Sequence, residues 1–207
     1  MMNKQKKIYS LRRELPQLTE KGFEKVKIPS DIWSLLKDMY SVLRQLPPEK
    51  EGDNSLLTES IVYPMWNLSS VAKIIHNKLI PIFEWWCKES LEPTSLYGLR
   101  SYFNGAKLYN HYDWVNTHHV SCIVVLDKDL NGKEDWPLQF HDHDGHWNDV
   151  YLEPGEMLLY ESAICEHGRE EIFKGNYYTN CYFHSRLKNW KFLPTDKSDP
   201  SLPGFED

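Results

Sequence analysis

The stretch FHDHDGHWND, residues 140 to 149, places three histidines and three aspartates within ten residues. Imidazoles and carboxylates are ligands for transition metals, so such density invites a metal site. Its context argues otherwise. Asp144-Gly145 lies between two alternating runs in WPLQFHDHDGHWNDVYLEP, which is the signature of a tight β-hairpin. A hairpin tip is solvated, and polar residues gather there at no burial cost. His141 and His143 would share one strand face, which leaves a two-histidine contact open, but the favoured reading is a polar turn.

A quieter group is better placed for chemistry. YNHYDW sets His111 and Asp113 two residues apart, on one face if the segment is a strand, and His167 opens a further strand in CEHGRE. Two imidazoles and one carboxylate on neighbouring strands form the facial triad that holds Fe(II) by three protein bonds and leaves three adjacent positions open. Taken singly, His111 also reads as a solvent-facing strand residue and His167 as a loop histidine.

The elements that must carry these groups change character near residue 95. Before it, SDIWSLLKDMYSVLRQL places Ile32, Leu35, Leu36, Met39, Leu43 and Leu46 at helical spacing, with Ser30 or Asp31 as N-cap. PPEKEGDNS reads as a loop. NLSSVAKIIHNKLIPIFEWWCKES is a second helical segment, which Pro81 either kinks or restarts. After EPTS the period becomes two, through LYGLRSYF, KLYNHYD, HVSCIVVLD, LQFHDH, WNDVYLE, EMLLYES, HGREEIF and NYYTNCYFHS, with turn signals between them. Eight short strands behind a helical front predict a mainly β fold with α, a double-sheet jelly roll or small barrel. The expected organisation is one domain over 1–207: helical support over 1–95, a β-barrel core over 96–187 and a loosely ordered tail over 188–207.

The span from about 97 to 186 resembles the catalytic domain of 2-oxoglutarate/Fe(II)-dependent dioxygenases, and within them the prolyl 4-hydroxylase-like branch. RSYFNGAKLYNHYD looks like that branch's approach to its His and Asp ligands, and PGEMLLYES followed by HG looks like its approach to the distal His. The resemblance implies a double-stranded β-helix buttressed by N-terminal helices. It implies oxidative decarboxylation of 2-oxoglutarate, with dioxygen, to succinate and carbon dioxide, coupled to hydroxylation of an unactivated C–H bond. The iron ligands would be His111, Asp113 and His167, Tyr102 would contact 2-oxoglutarate, and ascorbate is an optional accessory.

One departure stands out. The branch usually carries a Lys or Arg about ten residues after the distal histidine to hold the far carboxylate of 2-oxoglutarate, and here that place falls on Asn176 or Tyr177. A buried carboxylate still needs a cation. Arg169, two residues after His167 and so on the same face, is the expected substitute, because its planar fork grips a carboxylate with two bonds. Lys174 and Arg186 are the alternatives, and an ion pair with Glu171 is the competing role for Arg169.

Composition narrows the rest. The net charge of −6 gives no basic footprint and weighs against nucleic acid as partner. Cys87, Cys122, Cys165 and Cys181 lack paired zinc-site spacing and read as buried thiols of a reducing cytoplasm. The basic start MMNKQKKIYS is followed by LRRELPQL rather than an apolar run, and no stretch approaches the roughly 20 apolar residues that span a bilayer, so neither a secretory signal nor a membrane partner is expected. The expected substrate is a prolyl residue in a peptide or protein, with a free amino acid or other small molecule second; Trp114 and Trp147 are candidates to stack on it. Two further readings stay open: a non-catalytic binding barrel, and a cupin-like enzyme of another metal, for which a fourth inward ligand such as His119 or His184 would be the sign.

Overall fold

The computed structural model describes residues 15–50, 56–58 and 61–190. Among the described residues two helices form: α1, Ser30–Leu43, and α2, Ser69–Cys87. Eleven strands accompany them: β1 Phe23–Lys27, β2 Glu49–Lys50, β3 Pro64–Trp66, β4 Leu91–Phe103, β5 Leu108–His111, β6 Val120–Asp129, β7 Leu138–His141, β8 Trp147–Val150, β9 Glu156–Tyr160, β10 His167–Arg169 and β11 Tyr177–Leu187.

The strands build two antiparallel sheets, one in the order β1-β9-β6-β11-β4-β3-β2 and a smaller one in the order β5-β10-β7-β8. Consecutive strands from β4 onward mostly alternate between the two sheets, as they do in a double-stranded β-helix. The helices cover the outer face of the large sheet. Both faces of that sheet are therefore buried, which is why β6 reads as an apolar run with no polar alternation at its centre. Val120, Cys122, Val124 and Leu126 face the helices, and Ile123 and Val125 face the barrel interior. The same split puts Cys181 and Phe183 of β11 against the helices and Tyr178 and Tyr182 inside the barrel.

Helix α2 presents Ile75, Leu79, Phe83, Trp86 and Cys87 to the helix–sheet core, a stripe at the i, i+4 spacing of one helical face. It runs unbroken through Pro81. That residue lies on the exposed face, where water can satisfy the carbonyl left without its donor. Replacing Phe83 by Ala should lower the unfolding free energy by about 3–5 kcal/mol, the cost of emptying a well-packed aromatic site; urea unfolding of the two proteins measures it.

The structure revises several sequence expectations. The N-cap position of α1 falls on Pro29, with no capping side chain, and the helix stops at Leu43, leaving Leu46 exposed. EPTS does not break the chain, because it lies within β4, whose pairing with β11 absorbs the irregularity through register shifts at Tyr182/Phe183 and His184/Ser185. Strand β1 was hidden in the polar FEKVK, and it pairs with β9 at the sheet edge. Within the expected loop, Glu49–Lys50 pairs with Pro64–Met65, whereas residues 51–55, the N-terminal basic stretch and the tail from 191 lie outside the described residues. All four cysteines are buried and unpaired. No helix among the described residues is long and apolar enough to cross a membrane.

Candidate metal centre and cosubstrate pocket

His111 and His167 are direct cross-strand partners where β5 meets β10, with ring centroids 4.5 Å apart. Asp113 lies beyond the end of β5. It reaches the pair because its backbone N–H donates to the Ser162 carbonyl, 2.9 Å away, not through strand alternation. Its Oδ1 is 3.5 Å from His111 Nε2 and 3.8 Å from His167 Nε2. One ligand atom from each of the three residues falls within 4.8 Å of the others.

Both ring orientations follow from the backbone. His111 Nδ1 lies 2.8 Å from the Tyr109 carbonyl and His167 Nδ1 lies 2.9 Å from the Cys165 carbonyl. A carbonyl only accepts, so each Nδ1 carries a proton, and Nε2 is the nitrogen that each ring turns toward Asp113, placed to serve as the metal-binding atom. Burial raises the Asp113 pKa, but the His111 hydrogen bond and the charges of His167, His184 and His118 outweigh it, so its carboxyl is held well below the usual range. The His167 ring is fixed by a stack on Phe140 and an edge contact with Tyr160. Gly168, between His167 and Arg169, lets β10 lie close to β5: a Cβ there would meet Asn110 and the Leu108 carbonyl.

Deeper in the barrel, Arg169 is only 1% exposed. Its guanidinium lies 4.7 Å over the Trp136 ring and 4.6 Å over the Tyr178 ring, and Nη1 donates to the Trp136 carbonyl. Among the described residues, Nε and Nη2 have no hydrogen-bond partner. The competing ion pair is absent: Glu171 is exposed, and its carbonyl accepts from the Trp136 indole. Of the other cations considered, Lys174 is exposed in the turn, and Arg186 is ion-paired to Glu92. Asn176 and Tyr177, the places where the usual cation is missing, bond to Asp129 and Asp127. The residue that β11 turns inward there is Tyr178, and Arg169 lies across its face. Tyr102 is fully buried, hydrogen-bonded to the Tyr182 hydroxyl at 2.7 Å and to Arg100 at 3.1 Å, with its ring against Trp136.

The remaining histidines divide clearly. His119 has both ring nitrogens engaged by backbone, Nε2 at the Val115 carbonyl and Nδ1 at the Leu187 N–H, and burial pushes its pKa down to about 4. It is structural. His184 is buried beside Asp113, with Nδ1 2.6 Å from Ser121 Oγ, and it stacks on His118 at 3.8 Å. Sequence reasoning treated His184 only as a fourth ligand and passed over His118, Ser121 and Ser162. The alternation of β11 was the signal that could have turned His184 inward. Trp114 lies beside His118, whereas Trp147, 48% exposed, packs on His141.

The opening hairpin forms as read, with β7 and β8 paired and Gly145 at φ +84° in the turn. Its polar residues are not all solvated, however. Asp142 accepts from the N–H groups of Asp144 and His146 and from Asn148. His143 meets the buried carboxylate of Glu161 at 3.1 Å, which also accepts from Leu18 N, Thr19 N and Thr19 Oγ1. His141→Ala and His143→Ala should therefore leave metal stoichiometry unchanged, as titration with Co(II) would measure. His143→Ala alone should lose about 1.5–3 kcal/mol of stability in urea, because it strips a donor from a buried carboxylate.

No protein-family model matches the sequence, and no curated protein matches it. Solved structures do match. A Pseudomonas putida prolyl-4-hydroxylase superposes with a TM-score of 0.53 at 14% identity, over 86% of this chain and 99% of that one. HygX from Streptomyces hygroscopicus, crystallised with nickel, 2-oxoglutarate and hygromycin B, gives 0.59 at 13% identity, over 91% and 88%. A Trichoplax adhaerens prolyl hydroxylase in complex with a hypoxia inducible factor oxygen degradation domain peptide fragment gives 0.55 at 13%, over 89% and 93%. At such identities the likeness is one of fold. The chain has the double-stranded β-helix fold of these solved 2-oxoglutarate/Fe(II) oxygenases.

Proposed function

We propose that this protein is an Fe(II)- and 2-oxoglutarate-dependent dioxygenase that hydroxylates a C–H bond, with His111, Asp113 and His167 as iron ligands and Arg169 as the anchor for the far carboxylate of 2-oxoglutarate. The observation that carries the reading is the pairing of two differently prepared groups at the two ends of one short strand, β10, His167–Arg169. At one end, two Nε2 atoms and a carboxylate converge, with each Nδ1–H already set on a backbone carbonyl. At the other, a buried guanidinium keeps two nitrogens without protein acceptors, a costly arrangement that a bound carboxylate relieves.

The bound iron supplies the activation of dioxygen and the oxidising power, and the chain supplies the geometry. Arg169, stiffened between Trp136 and Tyr178, orients the cosubstrate by a two-pronged grip. Tyr102 and Tyr182 join their hydroxyls to each other inside the barrel. Tyr160 and Phe140, packed on the His167 ring, keep water from the reacting centre.

For substrate, the first reading is a prolyl residue in a peptide or protein, supported by the fold shared with prolyl hydroxylases, one of them bound to a peptide. A small molecule is the second, supported by the comparable fit to HygX with hygromycin B. The test is succinate formed from 2-oxoglutarate with added Fe(II), with and without a proline-containing peptide. Peptide-stimulated succinate supports the first reading, and peptide-independent turnover the second. No succinate from a protein that also fails to bind 2-oxoglutarate would leave a non-catalytic barrel.

A further inference from the structure

A histidine that binds a metal through one ring nitrogen is oriented by what its other nitrogen meets. For His111 that partner is its own backbone: Nδ1–H donates to the Tyr109 carbonyl at 2.8 Å. This carbonyl belongs to the peptide group that joins Tyr109 to Asn110. A trans peptide group is a rigid plane, with its C=O and N–H pointing in opposite directions. Whatever fixes the Asn110 N–H therefore aims the Tyr109 carbonyl.

The regular ladder does not fix it. Where β5 meets β10, the pairs His111–His167 and Leu108–Arg169 leave two residues, Tyr109 and Asn110, opposite the single Gly168, and the register shifts between them. The acceptor is a side chain instead, Glu170 Oε1, 2.9 Å from Asn110 N. Gly168 permits the close approach of the strands, since a Cβ there would come within 2.9 Å of Asn110 Cα and 2.8 Å of the Leu108 carbonyl.

Glu170 is itself placed by the neighbouring strands. Its backbone N–H donates to Gln139 Oε1 on β7 at 3.3 Å, and Gln139 Nε2 donates to Asp149 Oδ1 on β8 at 3.1 Å. With Asn110 on β5, this row of contacts crosses the small sheet from edge to edge. The second oxygen of Glu170 accepts from Lys107 Nζ at 3.0 Å. Its carboxyl is held below the usual range, by the Asn110 N–H first and by Lys107 second. A partly exposed ion pair contributes little by itself, whereas a charged acceptor on a backbone N–H makes a strong bond. It also polarises the peptide, which strengthens the carbonyl at its far end as an acceptor for Nδ1–H.

We propose that Glu170 is a positioning residue for the metal centre: its carboxylate grips the N–H of the 109–110 peptide and so aims the carbonyl that holds the His111 ring. The relay runs from Glu170 through one peptide group to Nδ1 of His111. It rests on the iron reading above, in which His111 is a ligand, and it acts through His111 and not by contact with the metal.

The experiment titrates the full chain with Co(II) in the absence of oxygen, following visible absorption, with circular dichroism as the check on folding. Glu170→Gln keeps an oxygen for the Asn110 N–H and discards the charge, Glu170→Ala discards both, and Lys107→Met discards the ion pair alone. Wild type, Glu170→Gln and Lys107→Met should share one spectrum and closely similar Co(II) affinities. Glu170→Ala should bind Co(II) about tenfold more weakly with an altered spectrum, the lower end of the range for residues that orient a metal ligand. Glu170→Met, which keeps the length of the side chain without its acceptor, should match Glu170→Ala and decides the matter if that variant does not fold. The proposal is overturned if Glu170→Ala and Glu170→Met lose thermal stability but keep the affinity and spectrum of wild type, which would leave Glu170 a structural role. It is equally overturned if Glu170→Gln or Lys107→Met is as impaired as Glu170→Ala, because the charge and not the backbone contact would then be at work. Wild type that binds no Co(II) would overturn the underlying functional reading instead, before any variant is compared.

Discussion

Alanine at His111, Asp113 or His167 should each abolish Fe(II)-dependent turnover of 2-oxoglutarate while leaving a cooperatively folded protein. Residues that merely orient a metal ligand typically carry 10–100-fold, and removal of a ligand itself should exceed that, taking turnover down by at least about a hundredfold. The fold should survive, because none of the three anchors either hydrophobic core. Their contacts are with one another, with neighbouring rings and with backbone carbonyls at the barrel end. In the Asp113 variant a buried charge disappears, which relieves a desolvation penalty. The measurements are metal content, succinate formation and circular dichroism on the four proteins side by side. Full activity in His111→Ala with unchanged metal content would remove the triad from consideration.

The parts of this site that the sequence made readable are those that local rules control. The two-residue spacing of His111 and Asp113 and the strand start at His167 drew attention to three side chains that the fold brings together, although Asp113 arrives by a loop pinned to Ser162 and not by the alternation of a strand. Arg169 could be singled out because strand alternation put it on the face of His167 and because a buried carboxylate requires a cation. What could not be read was whatever depends on the packing of distant segments. Nothing in the sequence says that Tyr178 enters the barrel where Tyr177 was expected to count, since a register offset of one residue exchanges inside for outside. His184 on β11 comes to lie beside Asp113, on the loop after β5, only through the packing of segments far apart in the chain. Glu161 shows the same limit: the sequence offers an ordinary acidic residue after EMLLY, and the fold buries it as the acceptor for Leu18, Thr19 and His143. The strand FEKVK escaped notice because an edge strand needs little apolar alternation.

Replacing Arg169 by Ala should mainly raise the 2-oxoglutarate requirement. The side chain is buried between two aromatic faces, with Nε and Nη2 unmatched by any protein acceptor, so its charge-assisted bonds to a carboxylate are formed out of water, where they are strongest. The expected loss is the roughly 1.5–3 kcal/mol of such a contact, which corresponds to at least about tenfold in cosubstrate affinity. Metal affinity should barely change, since the three ligands keep their own backbone contacts. Arg169→Lys should recover only part of the loss, because an ammonium is a point charge and cannot reproduce the fork or the stacking on Trp136 and Tyr178. Stability should not follow affinity: without ligand, Arg169→Ala removes a buried cation that lacks a carboxylate partner, which offsets the lost packing, so its unfolding midpoint should change little. Titrations of wild type and both variants with 2-oxoglutarate, run beside Lys174→Ala and Arg186→Ala, decide the assignment. Lys174 is exposed and Arg186 is paired with Glu92, so both should titrate as wild type. A defect in either one, with a normal Arg169→Ala, would place the anchor elsewhere and leave the buried guanidinium a structural feature of the barrel floor.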